Sequence, residues 1–513
     1  MKRFAAGFVV AVLVSATQLW AAGIPLVDAV KKGDAAVVRA LLRQGTNVNA
    51  QEADGSTALH WAAHLDDLET ADALIRASAA VNVVNDAGAT PLWLATENGS
   101  AVMVGRLLEA GADPNAGLPS GETPLMAASR AGSTQSVQLL LRRGANPNAK
   151  ESWREQTALM WAVAHQFTDV VRALIEGHAD IHARSKAWYE LTNPSGDADG
   201  SGVMWVLQGG YTPLLFAARD GDVESAQILV AAGANMNDIA ASGASALVVA
   251  LYSGNRALAK FFLDQGANPN AADAGYSAMH VAILLGDGEL VNALLAHGAD
   301  PNLQLEKPTA ARRASGDPTL RPAMVGATPL WLAARFGQPQ IMRALMAHGA
   351  DPAFVKKLGS PWVIQAAETN GRPLPEPGLV TVLMAALSGE NRRRGPQTDA
   401  ASASNIALME AVKLLVDAGV NVNAADEDGD TALHRAVRMR SNAVVQLLVE
   451  KGARLDVRNA FGETPLMAAL GTGLSAAQIR ALSKNSGTAV SAPAAPAGSN
   501  STADLLIKLG AKE

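Results

Sequence analysis

Residues 90–115 read TPLWLATENGSAVMVGRLLEAGADPN, and the order of residue types in this stretch predicts two short helices followed by a turn. Thr90 is placed to cap the first helix through its hydroxyl. Pro91 then falls at the first helical position, where its missing N–H costs nothing. Leu92 is expected to face a core, and Gly99 interrupts the chain before a second helix. Gly111 suits the left-handed conformation that ends a helix. Asp113-Pro114-Asn115 then turns the chain outward.

The same opening recurs along the chain. Thr57-Ala-Leu-His60, Thr90-Pro-Leu-Trp93, Thr123-Pro-Leu-Met126, Thr157-Ala-Leu-Met160, Thr212-Pro-Leu-Leu215, Ser245-Ala-Leu-Val248 and Ser277-Ala-Met-His280 begin seven units. Thr328-Pro-Leu-Trp331, Thr381-Val-Leu-Met384, Thr431-Ala-Leu-His434 and Thr464-Pro-Leu-Met467 begin four more. The spacings between their first residues are 33, 33, 34, 55, 33, 32, 51, 53, 50 and 33. Ile24-Pro25-Leu26 marks an incomplete first unit and brings the total to twelve. Alanine pairs such as Ala62-Ala63, Ala127-Ala128, Ala217-Ala218 and Ala333-Ala334 keep the first helix thin enough for close approach. The second helix carries apolar residues at helical spacing, as in Val137, Leu140 and Leu141 or Val444, Leu447 and Leu448.

A period near 33 with a Thr-Pro-Leu-His-like opening resembles the ankyrin repeat. The resemblance covers nearly all of the chain beyond its first two dozen residues. It implies an all-α solenoid of about twelve stacked helix pairs with hairpin-like fingers, over residues 22–513. One helix pair cannot bury its apolar face alone, so stability is expected to be a sum of nearest-neighbour contacts. That explains how 513 residues need not divide into several globular domains. Twelve pairs packed ~8 to 10 Å apart predict a curved body on the order of 100 Å long.

Composition agrees with that reading and narrows the function. The chain is 49% hydrophobic but only 4% aromatic, which suits closely packed helices better than a thick sandwich core. A formal net charge of -6 leaves no global footprint for nucleic acid or an anionic membrane. With no cysteine, disulfides, thiolate metal sites and a cysteine nucleophile are excluded. Lys2 and Arg3 precede an apolar run from Phe4 to Val14, and Ala21 and Ala22 supply small residues. That is the layout of a secretory signal peptide over 1–21, with cleavage after Ala21, or after Ala16 as the second choice. An uncleaved anchor is the other reading. The run is shorter than the ~20 apolar residues a span needs, and Ser15, Thr17 and Gln18 interrupt it. No later stretch is long and apolar enough to span a bilayer. The expected location is periplasmic or extracellular in a bacterium, the origin being inferred from the style of the signal alone.

Four spacings exceed 33 by more than one residue, by 22, 18, 20 and 17 residues. Register places finger insertions near 184–209, 303–325 and 353–378. A fourth insertion, near 389–404, separates two helices, and a Ser/Ala/Pro-rich stretch at 483–502 does the same in the last unit. The resemblance implies that fingers and first helices line one concave face, and insertions on one face often mark where a partner binds. The first finger carries Trp188, Tyr189 and Trp205, the second Lys307, Arg312, Arg313 and Arg321, and the third Lys356, Lys357 and Trp362. Aromatic and Arg residues are the types that anchor interfaces. Trp188, Tyr189, Trp205, Arg312, Arg313, Arg321 and Trp362 are therefore the candidate contact residues. The competing reading is that these loops are tolerated and their aromatics pack back on neighbouring repeats.

Little points to catalysis. No nucleophile elbow, phosphate loop, His-Glu-x-x-His helix or dinucleotide fingerprint is present. His60 and His64 stand i, i+4, but His60, His280 and His434 share the slot where the family resemblance implies a structural histidine tying adjacent loops. His178 and His182 have no evident third ligand. Asp197-Ala-Asp199-Gly-Ser201-Gly202 resembles the start of a calcium loop, yet the twelfth position is Gln208 rather than a bidentate Glu. Arg392-Arg393-Arg394 reads as a solvated loop. Trp61, Trp93, Trp161 and Trp331 read as core or groove wall. No metal or cofactor is expected. The leading expectation is a monomeric, non-catalytic scaffold that binds an unidentified partner protein. Alternatives are an exported effector or inhibitor that occludes its target, and an enzyme accessory subunit with a weak ion site at the Asp197 loop.

Overall fold

The computed structural model describes residues 24–192, 204–309, 319–357, 379–388, 399–471 and 501–512. The expected signal segment 1–21 and the Asp197–Gly202 loop lie outside these residues. The chain forms two compact units, Met1–Trp188 with Gln208–Ala241, and Tyr189–Leu207 with Ser242–Glu513.

Among the described residues each unit contains six helix pairs. In the first they are Pro25–Lys31 with Ala35–Arg43, Ala58–His64 with Leu68–Arg76, Pro91–Glu97 with Ala101–Glu109, Pro124–Arg130 with Thr134–Arg142, Ala158–Ala164 with Thr168–Glu176, and Pro213–Asp220 with Val223–Ala231. The second holds Ala246–Tyr252 with Arg256–Asp264, Ala278–Leu284 with Gly288–Ala296, Pro329–Arg335 with Pro339–Ala347, Val382–Ala386 with Asp399–Asp417, Ala432–Arg438 with Asn442–Glu450, and Pro465–Leu470 with Ser501–Lys508. Within each unit first helices pack on first helices and second on second. The twelve pairs are those the recurring openings predict.

The opening residues do the capping expected of them. The side chains of Thr90, Thr123, Thr157, Thr212 and Thr328 accept the backbone N–H three residues on. At Thr57, Ser277 and Thr431 a histidine completes a reciprocal capping box. Leu59, Leu92, Leu125, Leu159 and Leu214 are fully buried, and so are the alanine pairs at 62–63, 127–128 and 217–218. Gly111 ends its helix at φ 92°. Ser78 and His178 hold the equivalent position at φ 65° and 64°, and Asp66, Gln166 and Arg440 do so at the break between helices. Those five side chains occupy a region that disfavours a Cβ.

A second tie runs along the turns. Asn82 Nδ2 donates to the Gly111 carbonyl at 3.0 Å while its Oδ1 accepts from the Asp113 N–H. Asn115 does the same with Gly144 and Asn146. In the second unit Asn302 reaches Gly349 at 2.9 Å across a long spacing. Each link satisfies a carbonyl left open at a helix C-terminus.

The enlarged fingers differ from one another. Strands β1 (Ala187–Thr192) and β2 (Met204–Gly209) pair as a two-stranded sheet. A second antiparallel pair joins β3 (Val355–Lys357) to β4 (Leu379–Thr381), with Val355 opposite Thr381 and Lys357 opposite Leu379. In the finger near 303–325 the two ends fasten to each other through Thr309 and Leu320, whose backbones bond at 3.0 Å. Leu305, Leu320 and Met324 are buried there. The stretch near 389–404 is helical from Asp399 onward, because its run of Ala and Ser continues a helix without breaking it. No helix among the described residues is long and apolar enough to cross a membrane.

Candidate protein-interaction site

In the first unit, an unusual turn precedes the Thr157 helix. Glu151 is buried, and its carboxylate accepts the backbone N–H groups of Trp153 at 2.7 Å, Arg154 at 2.8 Å and Gln156 at 2.9 Å. Three charge-assisted hydrogen bonds on one side chain fix the path of this turn. The turn is also tied to its neighbours, since Ser152 N–H donates to Ser120 O and Lys186 N–H to Arg154 O, both at 2.7 Å. The held backbone presents the Trp153 indole with 77% of its surface exposed.

Arg154 stacks beside it. Its guanidinium carbon lies 4.3 Å from the Trp188 ring centroid and 5.6 Å from that of Trp153, distances at which a cation is attracted to a ring face. Trp188 is half-buried. The ring also lies against Gly209, where a Cβ would come 2.4 Å from the indole ring and 2.2 Å from the Lys186 carbonyl oxygen. Only glycine fits at that position, and its φ of 78° is also one that glycine alone adopts freely. Nearby, Arg184 spans the Gly210 and Ile239 carbonyls at 2.9 and 2.8 Å and pairs with Asp238 at 3.1 Å. This frame makes Trp153, Arg154 and Trp188 a rigid aromatic and cationic surface.

A row of half-buried aromatics lies on first helices of the same unit. Lys31 sits 4.3 Å above Trp61, whose Nε1 donates to Glu52 at 2.7 Å. Arg130 lies 5.3 Å from Trp161 and 3.1 Å from Glu122. Burial pushes the Glu122 carboxyl above its ordinary value despite that arginine. The Arg130–Glu122 contact is an ion pair without hydrogen-bond geometry, since Glu122 Oε1 has no hydrogen-bond partner.

Of the residues singled out by sequence, Trp188 and Tyr189 lie on β1 and Trp205 on β2, the two strands that pair with each other. Tyr189 and Trp205, in the second unit, are 69% and 65% exposed, and Arg321 is exposed. Arg312, Arg313 and Trp362 lie outside the described residues. Lys356 is buried and lies 5.4 Å from the Trp331 ring, so it is not presented to a partner. Trp331 is fully buried and donates to the Val380 carbonyl at 3.1 Å. His60 and His434 tie loops as the slot implies, with Nε2 3.1 Å from the carbonyls of Ala89 and Glu463. No group of three His, Asp or Glu residues able to hold a metal occurs among the described residues.

Trp153 and Arg154 escaped the sequence reading. The available signal was the single spacing of 34 residues before Thr157, which marks a turn one residue longer than its neighbours.

The comparisons with known proteins agree with the fold. The family model described as ankyrin repeats (3 copies) matches residues 26–117, 107–185, 214–305, 375–459 and 398–493, and the single ankyrin-repeat model matches 325–357. The B-cell lymphoma 3 protein homolog of Mus musculus is 34% identical over 148 residues, 29% of this chain and 33% of that protein. Rabankyrin-5 of Homo sapiens is 37% identical over 83 residues, 16% of this chain and 7% of its own length. Protein PhlB of Serratia liquefaciens is 42% identical over 62 residues, 12% of this chain and 27% of that protein. The match therefore spans at most a third of the length of these relatives. Among solved structures, the human ASB11 ankyrin repeat domain is 29% identical with a TM-score of 0.39, covering 48% of this chain and 99% of that one.

Proposed function

The chain belongs to the ankyrin-repeat family, whose members are generally protein-interaction scaffolds, and we propose that it is an exported, non-catalytic scaffold gripping a partner protein through the Trp153–Arg154–Trp188 finger. The observation that carries this reading is the 77% exposure of Trp153 on a backbone held by Glu151. A free indole on a mobile loop loses entropy when it docks. One already fixed does not, so more of its buried area becomes affinity. Trp and Arg are the residues that most often dominate such interfaces.

Affinity capture from the native organism tests the proposal, using the intact chain beside a Trp153→Ala/Arg154→Ala double variant. Loss of a specific partner with the double variant supports the site, and recovery of the same partners in equal amount sinks it. Tyr189 and Trp205 are tested by their own alanine variants, since they offer exposed aromatic surface on the second unit. Export is tested by fractionating cells that express the chain with and without residues 1–21. If the captured partner is an enzyme and addition of the chain stops its turnover, the scaffold acts as an inhibitor.

A further inference from the structure

Eleven of the twelve second helices span eight or nine residues, whereas Asp399–Asp417 spans 19. The ten extra residues lengthen this helix by about 15 Å at its N-terminal end. Ile406, Met409, Glu410 and Lys413 fall at i, i+3, i+4 and i+7 and so share one stripe of it. That stripe forms a wall of a groove of about 720 Å³, completed by Arg343 from Pro339–Ala347 and by Arg440 in the break between Ala432–Arg438 and Asn442–Glu450.

The groove combines apolar Ile406 and Met409 with the cations Arg343, Lys413 and Arg440. Ile406 is 68% exposed, far more than an isoleucine with a packing role needs. Glu410, the one acidic residue lining the groove, is taken by an ion pair with Arg343. Lys413 and Arg440 are exposed and make no ion pair among the described residues, and Asp417, one turn from Lys413, is held by Lys451 at 2.9 Å. Arg440 sits at φ 53°, at the position that Gly33, Gly99, Gly132, Gly221, Gly254, Gly286 and Gly337 fill in seven repeats and Asp66 and Gln166 in two more. A strained non-glycine residue there keeps a cation at the groove wall, where glycine would relieve the backbone.

We propose that this groove is a second docking site, on the row of second helices, for an acidic amphipathic helix of a partner protein. Such a helix lays apolar side chains on Ile406 and Met409 and sets carboxylates against Lys413 and Arg440. The groove is built from the second unit and the Trp153 finger from the first, so the two sites share no residue.

The test uses the full chain and a fluorescein-labelled synthetic helix with leucines on one face and glutamates flanking them. The Leu/Glu peptide is expected to bind, to weaken as salt is added, and to lose about tenfold in affinity in Lys413→Glu and in Ile406→Asp. Arg440→Gly separates binding from folding, since it is expected to melt higher and yet bind the peptide more weakly. Trp153→Ala is expected to leave the peptide affinity unchanged. Four results overturn the proposal: no binding of the Leu/Glu peptide, equal affinity for its Leu/Lys counterpart, binding of phosphatidylglycerol vesicles without the peptide, or a dimer of this chain that Ile406→Asp dissolves.

Discussion

The Nδ1 of His60 accepts the Thr57 backbone N–H at 3.1 Å, which leaves Nε2 as the protonated nitrogen facing the Ala89 carbonyl, also at 3.1 Å. One neutral tautomer thereby caps its own helix and ties down a loop 29 residues away. A second ring proton would sit against the Thr57 N–H, so the imidazolium is incompatible with this arrangement.

Acid should therefore weaken the protein before its carboxylates titrate. Burial is the first cause that lowers the affinity of His60, His280 and His434 for a proton, and His280 is pushed down to about 4. Its Nε2 faces the Leu303 backbone without completing a hydrogen bond. Because the folded value lies below the unfolded one, stability is complete above about pH 6.5 and declines as pH falls toward 4. His280 alone accounts for about 2 kcal/mol between pH 7 and 5. Urea melts at those two values check this, and a His280→Gln variant with an undiminished pH dependence would falsify it.

Replacing strained residues should stabilise the repeats that hold them. Ser78 and His178 occupy left-handed backbone at φ 65° and 64°, so Ser78→Gly and His178→Gly should each gain about 0.5–1 kcal/mol. The reverse change, Gly144→Ala at φ 86°, should destabilise by a similar amount. Thermal melts of the three variants decide the matter by sign.

The carboxylate of Glu151 should prove structural. Glu151→Ala removes the acceptor of three backbone N–H groups and should cost about 1–3 kcal/mol locally. Amide exchange at Trp153, Arg154 and Gln156 should accelerate by at least about tenfold, with little change in Ala35–Arg43. Unchanged protection at those amides would show that the turn holds without its clamp.

Asp426 and Arg435 should act as a unit. The Asp426 side chain is 1% exposed and pairs with Arg435 at 3.0 Å, and Arg435 also donates to Ser388. Asp426→Ala leaves a half-buried guanidinium unpaired and should cost about 3–5 kcal/mol, while Asp426→Ala/Arg435→Met should recover much of that loss. A double variant as weak as the single one would mean that the backbone bonds of Asp426, rather than the ion pair, hold the site.

The twelve helix pairs were legible because their signals are local. A hydroxyl at the cap, a proline at the first helical position, apolar residues at helical spacing and a glycine at the stop each act within a few residues of the chain. The site was legible only in part. Trp188 is a candidate from sequence because it lies in an obvious insertion, whereas Trp153 is hidden in a turn longer than its neighbours by a single residue. Lys356 read as a presented cation, and Trp331 accompanies it in the interior.

Trp153 and Trp331 mark where local information ends. By itself the sequence determined the repeat, its number and its capping chemistry, all of which are encoded within about thirty-three residues. Whether an indole stands 77% exposed, as at Trp153, or fully buried, as at Trp331, was decided only by the tertiary structure. The physical reason is that exposure depends on what neighbouring segments place against a side chain. Trp331 is held by a hydrogen bond to the carbonyl of Val380, 49 residues further along, whereas Trp153 stands on the turn clamped by Glu151 with Arg154 beside its ring.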